Sequence, residues 1–193
     1  MKSTTRKRFP LNRSDFKDII EGNYYFIDKT MFIHNLIVDD TDIVLFPRAR
    51  RFGKTCNISM LRYFFEKTEA SNAHLFEGLA IRNAETWHYQ GKYPVIYISL
   101  RNTHGKTWSK CLTHLTHELS SEFIRHSYLL DSKLLHSKEK SNFEAIINQD
   151  ASETDYAFSL KNLSKYLSQY YSQKVIILCD EYDTPIHDGY LNN

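Results

Sequence analysis

The sequence predicts an α/β domain organised on a parallel sheet, and three observations lead there. Short, continuous apolar runs recur at 42–46, 95–100 and 175–179, as expected for strands covered on both faces. Between them lie longer stretches whose apolar residues return at helical spacing. The first and last runs each lead directly into a polar motif, the arrangement of α/β proteins that bind ligands at the carboxyl ends of their strands.

The elements follow in order. Residues 1–15 are basic, with Lys2, Arg6, Lys7, Arg8 and Arg13, and are expected to form a solvated, disordered tail; residues 16–193 are expected to form one domain. Phe16 to Ile20 forms an amphipathic turn or helix, and Tyr24–Ile27 a short strand. Asp28 caps a helix through Met31, Phe32, Leu36 and Ile37. The first strand, 42–46, precedes a basic loop and a helix from about Lys54 to Lys67 with Ile58, Leu61, Phe64 and Phe65 on one side. A short helical piece spans 74–81, and after Pro94 comes the second strand. Thr107–Tyr128 is a long helix with Leu112, Leu115, Leu119 and Phe123 on one face. Residues 133–140 are read as a polar loop, 143–148 as a short helix and 156–171 as another. The third strand runs into Asp180-Glu181.

Composition excludes several classes. The hydrophobic fraction is 41%, the charged fraction 25% and the net charge +2, so no global basic field points to nucleic acid. No apolar run approaches the roughly 18 residues of a membrane span, and no apolar segment follows the basic start as in a signal peptide. Cys56, Cys111 and Cys179 are widely separated, which fits a reducing cytoplasm. The aromatic share of 14%, from 13 Tyr, 12 Phe and 2 Trp, is assigned to the core.

The chemistry gathers at two strand ends. Phe52-Gly53-Lys54-Thr55 closes a basic loop, Pro47-Arg48-Ala49-Arg50-Arg51, that leads into a helix. A full phosphate loop reads G-x-x-x-x-G-K-[ST]; its second glycine is Gly53, while Arg48 stands where the first would be. Gly53 permits close backbone approach, Lys54 reaches phosphate oxygens, Thr55 offers a hydroxyl to Mg²⁺, and the helix start favours an anion. Arg51 and Phe52 complete the candidate cofactor-binding set with Gly53, Lys54, Thr55 and Asp180. The third strand ends in the companion motif: Asp180 as a Mg²⁺ ligand and Glu181 as the base that polarises the attacking water. Lys54 and Glu181 are the candidate catalytic residues, and Thr55 and Asp180 the candidate metal ligands.

These motifs resemble a known family. Tyr24-Tyr25-Phe26-Ile27-Asp28-Lys29-Thr30, the loop from Pro47 to Thr55, and Asp180-Glu181-Tyr182-Asp183-Thr184-Pro185-Ile186 look like the AAA-ATPase-like proteins. There a Y-x-V-D-K-T segment precedes an R-P-R-R-F-G-K-T loop, and D-E-Y-D-x-P follows. The resemblance implies a three-layer P-loop NTPase-type parallel sheet of the ASCE group with helices on both faces, and ATP and Mg²⁺ as cofactors. It makes the missing first glycine a family habit, with Ala49 a mild departure. Members often carry a C-terminal domain similar to PD-(D/E)xK nucleases, for which this chain has no room. The strand that lies between the loop strand and the Asp-Glu strand in that arrangement also has no counterpart before Asn193. The sheet is therefore expected to be C-terminally incomplete, and the chain an N-terminal fragment that hydrolyses ATP weakly or not at all. In it, the loop strand and the Asp-Glu strand should leave a gap or pair directly.

Two functions compete. One is an ATPase-type domain that couples Mg-ATP to a protein partner or a missing domain. The other is a nucleotide-free remnant or interaction module. A phosphotransferase fits less well, because a water-activating Glu181 is unwanted there. Cys111, His114 and His117 lie three apart, not at H-E-x-x-H spacing, and are read as a polar helix face. Ser99 is a minor candidate for approach to the water site, Tyr24–Phe26 for flanking an adenine ring, and Asp183 is read as solvated.

Overall fold

The computed structural model describes residues 7–47, 49, 51–103 and 107–184. Among them are six α-helices and two strands. The chain divides after Lys92 into two compact units, each described by itself.

The first unit is helical. Helix α1 (Phe16–Glu21) starts at Asp15, whose side chain accepts from the amide of Asp18. Helices α2 (Met31–Asp39) and α3 (Lys54–Phe65) follow, then three 3₁₀ turns over Asn72–Phe76, Ala80–Asn83 and Glu85–Tyr89. Phe16, Ile33, Met60, Phe64, Leu75, Phe76 and Ile81 are fully buried. Each such side chain contributes about 1.5–3 kcal/mol by leaving water. The rings interlock: Phe76 lies 5.1 Å from Phe16 and 5.5 Å from Phe64, and Phe64 lies 5.9 Å from Trp87. Ser59 ties α3 to α1 by accepting from the Phe16 amide at 2.9 Å.

Two expectations fail in this unit. Tyr24–Ile27 is no strand; a single bridge joins Tyr24 to Arg8, too short a partnership to propagate a ladder. Residues 42–46 are also no strand. Ile43 is 88% exposed and Leu45 61%. A strand requires a lateral partner for its amides and carbonyls, and the described residues pair none with this segment. The expected sheet of three strands is therefore, among the described residues, a sheet of two.

The second unit holds that sheet. Strands β1 (Val95–Ser99) and β2 (Ile176–Asp180) pair in parallel, with Ser99 opposite Asp180. Helices α4 (Trp108–Arg125), α5 (Ser137–Asn148) and α6 (Glu153–Tyr171) form the connection. Ile96, Ile98, Leu119, Phe123, Leu129, Phe143, Ile146, Leu163 and Leu167 form one core, with the Phe123 and Phe143 rings 4.6 Å apart. The protein is thus α/β with a small parallel sheet. Coverage differs between the strands: Val95, Ile96 and Ile98 of β1 are buried, whereas Ile177 of β2 is 50% exposed. Helix α5 begins within the segment expected to be loop, because Glu139 accepts from the His136 amide at 3.0 Å in a capping box.

Side chains close the outer edge of β1. Glu122 of α4 accepts from the Tyr97 amide at 2.9 Å, and Arg125 donates to the Val95 carbonyl at 2.6 Å. His126 lies 3.3 Å from the same carboxylate. Burial pushes the Glu122 carboxyl up, but His126 and Arg125 outweigh it and hold it below the usual range.

Candidate functional site

In the first unit, backbone shape defines the phosphate-loop candidate. Arg51 (φ 69°) and Gly53 (φ 75°) are both left-handed. Gly53 is the N-cap of α3 and hands directly to the right-handed Lys54. A left-handed residue followed by a right-handed one turns consecutive amides toward a common point, an anion-binding concavity. No side chain caps the helix and its first turn carries no acid, so the dipole's positive end is not neutralised from within the helix. A Cβ at Gly53 would meet nothing within 4 Å; glycine is needed there for conformation and for access. Lys54 and Thr55 are half-buried, while Arg51 and Phe52 are exposed. Arg48 and Arg50 lie outside the described residues.

Asp28 and Thr30 lie in the same unit and have a structural job. One Asp28 oxygen accepts from the Thr30 amide at 2.8 Å and its hydroxyl at 2.7 Å. The other accepts from the Ala80 amide at 2.8 Å, and the Thr30 hydroxyl accepts from Ile81 at 3.1 Å. Burial raises the Asp28 carboxyl, but donation by Ala80 and Thr30 outweighs it, so the group sits below its ordinary value. The expected cap at Asp28 is not formed: the N-cap of α2 is Thr30, with no side-chain cap hydrogen bond, and Asp28 instead holds the Thr30 amide just before the helix and clamps a turn far along the chain.

Arg8 and Arg13 lie over the Tyr24 ring, 5.2 and 5.1 Å from its centre. With Lys7, Phe9, Leu11 and Tyr25 they line an open concavity of about 780 Å³. Tyr24 thus carries cation contacts from the basic segment, a role its aromatic neighbours did not signal.

In the second unit, β2 delivers Asp180 and Glu181 to its carboxyl end. Asp180 is buried, and Glu181 turns left-handed at φ 54°. One Glu181 oxygen lies 3.5 Å from Arg101 Nε; the other accepts from the Thr184 hydroxyl at 3.5 Å. Arg101 sits on a 3₁₀ turn, Leu100–Asn102, directly after β1. Sequence reasoning passed over it and chose Ser99. The usable signal was position, because a residue just past one strand faces the residue just past its neighbour. Pro185 and Ile186 lie outside the described residues, and Asp183 is exposed.

The structure thus brings Arg51, Phe52, Gly53, Lys54 and Thr55 together in one unit, and Asp180 and Glu181 in the other. Thr55 and Asp180 supply a hydroxyl and a carboxylate, the hard oxygen donors Mg²⁺ takes. No group of three or more potential ligands among His, Cys, Asp and Glu occurs among the described residues. On α4, Cys111 is buried while His114 and His117 are exposed, so the three do not converge. No helix among the described residues is long and apolar enough to cross a membrane.

Comparison with known proteins agrees with the motifs. A protein of Azotobacter chroococcum mcd 1, described as an uncharacterized protein in the vnfD 5' region, is 28% identical over 186 residues. The match covers 96% of this chain and 31% of that protein, so the chain spans about a third of its relative's length. No solved structure matches. The family model described as "Predicted AAA-ATPase" matches residues 10–193, and the chain belongs to that AAA-ATPase-like family.

Proposed function

We propose that this chain is the nucleotide-binding part of an ATPase, taking ATP with Mg²⁺. The observation that carries the reading is the left-handed Gly53 handing to Lys54 at the uncapped start of α3. Family membership supports it. Lys54 and the first-turn amides would hold phosphate, Arg51 and Phe52 would flank it, and Thr55 and Asp180 would hold the metal. The bound metal would neutralise phosphate charge; Glu181 would take the proton of the attacking water. In this reading β1 and β2 are neighbouring strands of a larger three-layer P-loop sheet to which 43–46 contributes, and the protein works in the cytoplasm. Its nucleotide state would be passed to a protein partner or a further domain.

The test is Mg-dependent thermal stabilisation by ATP. At 100 times its Kd the nucleotide adds about 2.7 kcal/mol. Lys54→Ala should weaken binding roughly 10- to 100-fold, the worth of a charge-assisted contact. No stabilisation at millimolar Mg-ATP would instead support a nucleotide-free interaction module. The exposed apolar segment at 43–46 favours that second reading.

A further inference from the structure

We infer that the basic segment and the Tyr24-Tyr25 segment of the first unit together form a binding site for single-stranded nucleic acid. Lys7, Arg8 and Arg13 hold its phosphates, and its bases stack on Phe9 and Tyr25. The site uses none of the residues proposed to hold ATP and is independent of that reading.

The backbone builds the site from two pieces of sequence. Arg8 and Tyr24 form a parallel bridge, and the Tyr25 amide donates to the Arg8 carbonyl at 2.9 Å. Between them the chain turns at Asn12, left-handed at φ 58°, and the Arg13 amide donates to the Pro10 carbonyl at 3.3 Å. That turn returns a second guanidinium to the same ring: Arg8 and Arg13 lie 5.2 and 5.1 Å from the centre of Tyr24. Gly22 fixes the ring. A Cβ there would stand 2.3 Å from Tyr24 Cε2, so only glycine lets the ring lie this close to its backbone.

The side chains present two kinds of surface. A guanidinium stacked on an aromatic face keeps its N–H donors at its own edge, where they can fork onto a phosphate. Arg13 also lies 3.9 Å from Asp18, but both side chains are exposed, and a phosphate can displace so weak a pair. Phe9 and Tyr25 form a second ring pair, 5.1 Å apart and inclined by 32°, yet Phe9 is 73% exposed and Tyr25 50%. Of the described residues lining the concavity of about 780 Å³, three are cations and none is acidic. Cations that follow a phosphate backbone, with open rings on which bases stack, are the combination that binds single strands without sequence preference. An acidic peptide would satisfy the cations and leave the rings in water. The charge is local, which is why the net charge of +2 does not signal it.

The experiment is fluorescence anisotropy of a labelled oligothymidylate of about 8 nucleotides, titrated with the full chain across a KCl series. Oligouridylate of the same length, duplex DNA and polyglutamate are run in parallel. Three phosphate contacts predict a slope of log affinity against log salt of about −2, and Lys7→Gln, Arg8→Gln and Arg13→Gln should each lessen it by about 0.7. Phe9→Ala and Tyr25→Ala should each weaken binding roughly 5- to 150-fold, the worth of one stacked base, with the slope unchanged. Phe9→Trp should keep the affinity, and the emission of the new indole should be quenched when the oligomer binds, a signal that misfolding does not produce. Both single strands should bind more tightly than the duplex, and the tighter of the two assigns DNA or RNA as the ligand. Absence of binding at low salt, wild-type affinity in Phe9→Ala and Tyr25→Ala, or equal affinity for polyglutamate or duplex each overturns the site. Displacement of the oligomer by saturating Mg-ATP also overturns it, because the concavity would then belong to the nucleotide site.

Discussion

Asp28 accepts a hydrogen bond from the Ala80 amide at 2.8 Å, although 52 residues separate them in sequence. The same carboxylate holds Thr30 by two further bonds. An acid inside a family motif therefore fastens two distant parts of the first unit. Asp28→Ala should lower stability by about 1.5–3 kcal/mol, the range for hydrogen bonds to a charged group, and Asp28→Asn should recover part of it. Thermal and chemical denaturation measure both. Because the folded carboxyl lies below its ordinary value of 3.8, its contribution is present above that value and fades as pH falls through the lower, folded one.

Glu122 answers to the same rule from a buried position. Removing it leaves Arg125 without its carboxylate and the Tyr97 amide without an acceptor. Glu122→Ala should cost about 3 kcal/mol at neutral pH, the low end for a broken buried pair, since the Arg125 side chain is 24% exposed. The folded Glu122 carboxyl is below 4.5. The gap in urea stability between wild type and Glu122→Gln should therefore narrow as pH drops below 4.5 and close once the folded group is protonated.

Gly53→Ala separates shape from access. The φ of 75° makes any side chain there strained, while no neighbour obstructs a Cβ. The expected destabilisation is about 1 kcal/mol. Loss of ATP-dependent thermal stabilisation should be disproportionately larger. An unchanged response to Mg-ATP would show that phosphate does not approach this backbone.

Cys56 follows Thr55 on α3 and should be chemically quiet. Burial, then Asp15, pushes its thiol up from 9.0 to about 11, with Lys29 opposing. Below pH 9 its thiolate fraction is roughly a hundredfold lower than in the unfolded chain. Iodoacetamide labelling at pH 8 with peptide mapping should leave Cys56 unmodified until denaturant is added.

Much of the fold was legible because periodicity reports burial. Helices α3, α4 and α6 and both strands fall where apolar spacing placed them, within a few residues. Helix α5 began earlier than expected because Ser137-Lys138-Glu139-Lys140 is polar; its first turn depends on a cap, which leaves no apolar period. The expected strand at 42–46 failed for the opposite reason. Its apolar character suits a buried strand, but the partner that makes a strand is not written in the segment itself. The candidate site divides similarly. Gly-Lys-Thr and Asp-Glu were readable as motifs. The Arg101–Glu181 pair was not, because it depends on strand register, and neither was the Asp28–Ala80 clamp, which depends on tertiary return.

The side chains that close β1 also give the sheet a direction. Glu122 and Arg125 occupy the backbone groups that a strand arriving at that edge would need. An intruding chain would have to displace a charged pair to gain a ladder, so that edge is a poor template for runaway pairing. Any extension of the sheet, within one molecule or between molecules, is channelled to the side of β2, where Ile177 already lies half open to solvent.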